Sequence, residues 1–195
     1  MRKYLPWIII GGVILMLVFW VISSKNQALR YNQAVNKEWG NVDASYQRRN
    51  DLIQNLVNTV KGYATHEQST LTAVIAARNT ASNMKIDPAT MTPEQIQAYS
   101  QAQSNVSNAM RGLQLNVIVE RYPDLKANQG FLKLQDELAS TENQILTART
   151  RFNESVEIYN GYVLASPRNL FLGSYRERPY FKSVEGADRP VEVKF

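Results

Sequence analysis

Cysteine is absent from this 195-residue chain, and histidine occurs once, at His66. Without cysteine there is no disulfide, thiolate nucleophile, cysteine-bound zinc or iron–sulfur cluster, and no lipidated-cysteine anchor. A single histidine rules out a two-histidine metal site within one subunit. No glycine-rich phosphate loop is present. Proline and glycine are scarce. Between Lys25 and Met84 there is no proline, and the only glycines are Gly40 and Gly62. The charge excess is small, +5 with a pI near 9.4, which does not by itself imply nucleic acid.

What is present begins with an apolar run. Tyr4 to Ile22, YLPWIIIGGVILMLVFWVI, holds 19 residues without a formal charge. As a helix it would be about 28 Å long, close to the thickness of a bilayer core. Tyr4, Trp7 and Trp20 stand near its ends, where amphipathic rings favour the interface. A cleaved signal peptide is the competing reading, but the run is long for one and no small-x-small cleavage site follows. Arg2 and Lys3 flank one end densely, whereas Lys25, Arg30 and Lys37 are spread out beyond the other. The denser cluster favours a cytoplasmic N-terminus with the large domain outside. A domain of about 170 residues translocates largely regardless of its charge, which limits the force of that rule.

After the run, apolar positions recur at Ile53, Leu56, Val57, Val60, Tyr63, Ala64, Leu71, Val74 and Ile75, the spacing of a helix face. Asp87-Pro88 marks a turn. Thr92-Pro93-Glu94-Gln95 reads as an N-cap, an N1 proline and a glutamine able to complete a capping box. A second helix follows with Ile96, Tyr99, Gln103, Val106, Met110, Leu113 and Val117 in register, closing at RYPD near Tyr122. A third starts near Asp124. It carries Phe131, Leu134, Leu138, Thr141, Ile145, Ala148, Phe152, Ser155, Tyr159 and Tyr162 in alternating 3,4 spacing. Such stripes must bury one another to be stable.

The expected architecture is therefore all-α. An N-terminal transmembrane helix leads into a long antiparallel helical bundle, of three long helices, or four if the first breaks near Gly40. An irregular or short β C-terminal tail follows. The chain divides into an anchor over 1–24, a bundle over 25–165 and a tail over 166–195. The tail holds Arg168, Arg176, Arg178, Lys182, Arg189 and Lys194 against Glu177, Glu185, Asp188 and Glu192, a net of +2. That balance disfavours nucleic acid and favours packing on the bundle or on a neighbouring subunit. Val191 to Phe195 alternates as a short strand would.

Candidate chemistry is thin. His66-Glu67 begins like HExxH, but position 70 is threonine, so the second ligand is missing. The carboxylates of the third helix alternate with arginines, the pattern of a solvated, salt-bridged face. A hydrolase built on a serine–lysine pair has nothing to mark it. No catalytic residue, cofactor or metal ligand is assigned. The candidate ligand or partner patch is Arg48, Arg49, Asp51 and Asn55 together with Glu120, Arg121 and Asp124, suited to a small anion or a partner's acidic segment. The competing reading pairs these groups with acids on neighbouring helices. Within the anchor, Gly11 and Gly12 would allow a second copy to approach closely.

Two long blocks resemble one family. YNQAVNKEWGNVDASYQRRNDLIQNLVNTVKGYATHE is similar to the LemA family signature, and ERYPDLKANQGFLKLQDELASTENQILTARTRFNESVEIYN is similar to that family's second block. The resemblance covers roughly residues 29–182. The tail departs from the pattern, keeping a proline and a terminal aromatic pair but lacking the Phe-Pro and Gly-Phe pairs. The resemblance implies a membrane-anchored helical bundle of bacteria, without an established enzymatic activity or cofactor. Magnetosome-associated relatives imply a role in membrane organisation. It also implies a small N-terminus outside and the bulk in the cytoplasm, opposite to the charge reading. The expected function is a non-enzymatic, single-pass scaffold or adaptor in the bacterial cell membrane. Its expected partners are the bilayer, further copies of itself and other membrane proteins. A sensing adaptor that uses the polar patch is the alternative.

Overall fold

The computed structural model describes residues 4–64 and 66–182. The expected strand at 191–195 and the charges of Arg2 and Lys3 lie outside the described residues.

Helix α1 runs unbroken from Leu5 to Tyr63, 59 residues. The break near Gly40, the alternative to an unbroken first helix, does not occur. An exposed glycine in a helix costs about 1 kcal/mol relative to alanine, too little to stop a helix whose Trp39 and Val42 are both buried. The apolar run is continuous with the bundle, and its large side chains from Trp7 to Ile22 are exposed apart from the half-buried Val21. The chain instead turns at Ala64–Glu67, before α2, Gln68–Asn83. Helix α3, Pro93–Gly112, opens with the expected capping box. The Gln95 amide donates to Thr92 Oγ1 at 3.2 Å and the Thr92 amide donates to Gln95 Oε1 at 2.9 Å.

Helix α3 ends earlier than its apolar register suggests. Gln114 takes a left-handed conformation, φ 47°, and separates it from α4, Leu115–Arg121. Val117, expected on the buried stripe, is consequently exposed. A single turn, α5, Pro123–Lys126, follows. The long third helix does not start at Asp124. It is α6, Gln129–Val163, capped by Asn128, whose side chain accepts from the Phe131 amide.

Helices α1 and α6 form the antiparallel axis of the molecule. Asn128 donates to the Tyr63 hydroxyl at 2.9 Å at one end, and Tyr162 donates to the Ser24 carbonyl at 3.4 Å at the other. The α2–α3 pair packs on the half of this axis that is remote from the apolar run, giving an up-down-up-down four-helix arrangement there. Among the described residues only the first turns of α3, through Ile96 and Tyr99, reach the near half, and most of that half has no third or fourth α-helix. The tail fills that place. Leu172 and Phe181 are buried in the near core with Trp39, Phe152 and Tyr159.

After a 3-10 turn at Arg168–Leu170 the tail has no regular secondary structure over 176–182, so the backbone there needs partners that it cannot supply itself. Two asparagines on α6 provide them. Asn160 donates to the Arg178 carbonyl and accepts from its amide, both at 2.8 Å. Asn153 does the same for Phe181, both at 2.9 Å. Seven helical residues rise about 10.5 Å, and three extended residues span about 10 Å, so the two spacings match. The tail thus docks on its own bundle, one of the two destinations expected for it.

Candidate functional site

Four consecutive helical residues point in four directions, because each step turns the helix by about 100°. The segment Arg48-Arg49-Asn50-Asp51 therefore cannot form one patch. Arg48 points outward, 3.8 Å from Glu137 of α6. Arg49 points inward and is 2% exposed. Its Nη1 donates to Ser107 Oγ at 3.0 Å and to Glu142 Oε1 at 3.2 Å, and its Nη2 donates to the Gln103 carbonyl at 3.1 Å and also to the Gln103 side chain. One guanidinium thereby joins α1, α3 and α6. Tyr46, one turn earlier, lies under it with 5.0 Å from Cζ to the ring centroid. Burial raises the Tyr46 pKa, an effect the nearby Arg149 and Arg49 oppose.

Asn50 faces α2. Its Nδ2 donates to Ser82 Oγ at 3.0 Å, and its carbonyl accepts from Arg78 Nε at 2.9 Å. Gln103 and Thr141 are also buried at this level. The result is a polar belt to which α1, α2, α3 and α6 all contribute. It separates an aromatic core near the apolar run from an aliphatic core beyond.

The belt is flanked by two cavities. One, of about 450 Å³, is lined by Asp43, Asn50, Asp51, Arg78, Lys85 and Tyr99 among others. Tyr99 donates to Asp43 Oδ1 at 3.3 Å, and its pKa is raised by burial first and by Asp43 second. The other, of about 400 Å³, lies against Arg49, Ile53, Val106, Met110, Leu138 and Glu142. Two buried polar atoms of the belt have no hydrogen-bond partner, Arg49 Nε and Asn50 Oδ1. Asn50 also lines the larger cavity.

The remaining members of the expected patch lie elsewhere. Asn55 is exposed, and its carbonyl accepts from Thr59. Arg121 pairs with Glu67 at 2.7 Å, at the far end of the bundle. Tyr63, which ends α1 just before that turn, is twelve residues and so about 18 Å beyond Asp51. Glu120 and Asp124 are exposed at the same far end. The expected single patch is therefore two separate features. His66 is exposed beside Glu67, whose carboxylate is held by Arg121.

A model described as LemA family matches residues 38–195. The chain belongs to the LemA family. The match begins past the apolar run and takes in the rest of α1, the bundle and the tail. Protein LemA of Metamycoplasma hominis is 25% identical over 145 residues, 74% of this chain. The chain spans 62% of that protein's length.

Sequence reasoning missed three residues that the structure brings forward. Asn50 sits inside the quoted motif, yet its neighbours' charges drew the attention. Asn153 and Asn160 recur seven apart, each directly after a stripe residue, Phe152 and Tyr159, and two polar residues at heptad spacing beside an apolar face were the available signal.

Proposed function

We propose that this LemA family chain is a non-enzymatic, single-pass membrane scaffold that self-associates. The observation that carries the reading is the apolar run itself. From Trp7 to Phe19 its large side chains are exposed in an unbroken helix that continues 44 residues further as the spine of the bundle. A bare helix of that length and composition is stable in lipid and costly in water. A β-carbon placed on Gly11 or Gly12 would meet nothing within 4 Å, so this face is open to a second helix. Among the described residues, no three His, Asp or Glu side chains cluster to hold a metal. Native mass spectrometry of detergent-extracted protein tests self-association. Oligomers that dissociate in a Gly11→Leu, Gly12→Leu double variant support it, and a monomer in the wild type removes it.

The side on which the bundle stands is decided by labelling a single cysteine, for instance Asn143→Cys, from one face of oriented vesicles. The absence of native cysteine makes that label unambiguous. The charge density at the N-terminus favours the extracytoplasmic side, and the family resemblance favours the cytoplasm.

A second reading is a sensing adaptor that takes a small polar ligand beside Asn50. It is favoured by the unpartnered, buried Oδ1 of Asn50 on the wall of a cavity bearing both signs of charge. Small zwitterions such as free amino acids, screened by thermal shift, test it. Stabilisation that disappears in Ser82→Trp, which would fill the cavity from its rim, supports this reading. No stabilisation by any member of the screen removes it.

A further inference from the structure

The loop that leads from α6 into the tail stands level with the end of the apolar run. Three contacts fix its height. Phe171 meets Trp20 edge to face with ring centroids 5.0 Å apart. Tyr162 donates to the Ser24 carbonyl and Tyr175 donates to the Lys25 carbonyl, each at 3.4 Å. Trp20, Ser24 and Lys25 together span about 8 Å along the helix axis. The loop therefore sits where hydrocarbon would give way to lipid headgroups if 5–22 crosses a bilayer.

What the loop presents at that height is apolar and unpartnered. Leu170 is 82% exposed and Leu164 is 49% exposed, while Phe171 between them and Trp20 is half-buried. Single exposed leucines on a water-facing surface are ordinary. These two sit at one end of the molecule, continuous through Phe171 and Trp20 with the bare apolar helix. The charges around them are one-sided. Residues 23–31 and 159–177 hold Lys25, Arg30, Arg168 and Arg176 against a single acid, Glu177. Arg168 is braced over the Tyr162 ring, 4.2 Å from Cζ to the centroid.

We propose that residues 164–171 form a second, peripheral membrane contact. Leu164, Leu170 and Phe171 enter the interfacial layer, and Lys25, Arg168 and Arg176 meet anionic lipid headgroups. This rests on reading 5–22 as a membrane span. A span alone fixes depth and leaves rotation about its own axis free. In a tilted span a second contact beside it selects the face that leans toward the lipid, because α1 passes from span to bundle without a hinge.

The test uses the full chain in vesicles of phosphatidylcholine, alone or mixed equally with phosphatidylglycerol. A fluorophore is placed on one introduced cysteine at a time and quenched by lipids carrying nitroxides at shallow or deep positions. Ile14→Cys reports the span, Leu170→Cys reports the loop, and Leu146→Cys, at a site 65% exposed in the middle of α6, reports bulk solvent. The expected result is deep quenching at position 14, shallow quenching at position 170 several-fold above that at 146, and a further rise at 170 with phosphatidylglycerol. Strong quenching at 14 with equal, weak quenching at 170 and 146 overturns the loop contact and leaves the span standing. Weak quenching at all three overturns the span and, with it, the loop contact. Disulfide-linked dimers through position 170 without shallow quenching overturn it in favour of a second copy of the chain as the occupant.

Discussion

The half of the bundle near the apolar run is filled with rings, and the far half is filled with aliphatic chains. Trp39 packs on Tyr99, Phe152 and Phe181 with ring centroids 5.3, 5.6 and 5.9 Å away. Beyond the polar belt the core is Ile53, Leu56, Val57, Val60, Leu71, Val74, Val106 and their neighbours, with Phe131 as the one fully buried aromatic of that cluster. The difference follows from what surrounds each half. Four helices enclose the far core, and branched aliphatic chains fill the narrow space between them. The near core is enclosed by α1, α6, only the first turns of α3, and the strap that the tail forms, a less regular enclosure whose wider gaps are spanned by large side chains. The near half also has to satisfy the tail's backbone, and so carries Asn153 and Asn160 on α6.

If the belt divides two cores, damage should stay on its own side. Trp39→Ala should cost about 3–5 kcal/mol, the usual range for removing a buried large aromatic. Hydrogen exchange should show lost protection in 28–46 and 148–163, while the amides of 53–63 keep theirs. A uniform loss along α1 would show that the belt transmits rather than separates.

The belt itself comes next in size. Arg49→Ala should cost about 2–3 kcal/mol, because it leaves Gln103 and Ser107 without their partner. Glu142 is half in water and limits the loss below that of a fully buried pair. Arg48→Ala should stay within about 0.5 kcal/mol, as an exposed pair 3.8 Å apart is worth little. Urea unfolding of the two variants measures the contrast. Equal effects would remove the assignment of inward and outward arginines.

That contrast bears on what the sequence could reveal. Periodicity placed Ile53, Leu56, Val57 and Val60 on the buried stripe, and all are buried. It placed most of α6 correctly too, because a stripe over many turns averages out local exceptions. It failed where one residue decides. No glycine or proline marks the turn at Ala64–Glu67, and Gln114 carries no sign of its left-handed backbone. The tandem arginines show that helical spacing distinguishes faces only once the phase of the helix is known. Intrinsic propensity leaves a break at Gly40 open as an alternative, and only the packing on both sides of it decides for the unbroken helix. The tail could be placed only as far as the bundle or a neighbouring subunit, since its backbone is held by asparagines 18 and 28 residues away.

Tyr99 links the near core to the polar cavity, and its variant should have a smaller effect. Tyr99→Phe should cost about 1 kcal/mol near neutral pH, the value of one hydrogen bond to Asp43. At alkaline pH the order should change. An unfolded tyrosine ionises near pH 10, whereas folded Tyr99 holds its proton to higher pH. Its contribution is therefore fully present below about pH 10 and is lost as pH rises toward the folded value. The wild type should lose stability more steeply above that pH than Tyr99→Phe. Tyr46 and Tyr159 are also raised by burial and should retain part of the slope in the variant. Parallel slopes in alkaline denaturation would show that Tyr99 is not the group that titrates.

The smallest effects separate the two halves through the backbone alone. Gln114 holds φ 47° in the far half, where a β-carbon is strained by about 1 kcal/mol. Glycine relieves that strain but adds freedom to the unfolded chain, so Gln114→Gly should gain only a few tenths to 1 kcal/mol. Its amide bond to the Arg111 carbonyl at 3.1 Å does not depend on the side chain and is kept. In the near half the opposite substitution should stabilise. Gly40 is helical, and a β-carbon there would meet nothing within 4 Å, so Gly40→Ala should gain about 0.5–1 kcal/mol. Thermal unfolding of the single and double variants reads both. The gains should add, since the sites are far apart and share no partner. A loss in Gly40→Ala would mean that α1 needs a weak point at Gly40 after all, and that the rigid link from apolar run to bundle is less rigid than its unbroken hydrogen bonding implies.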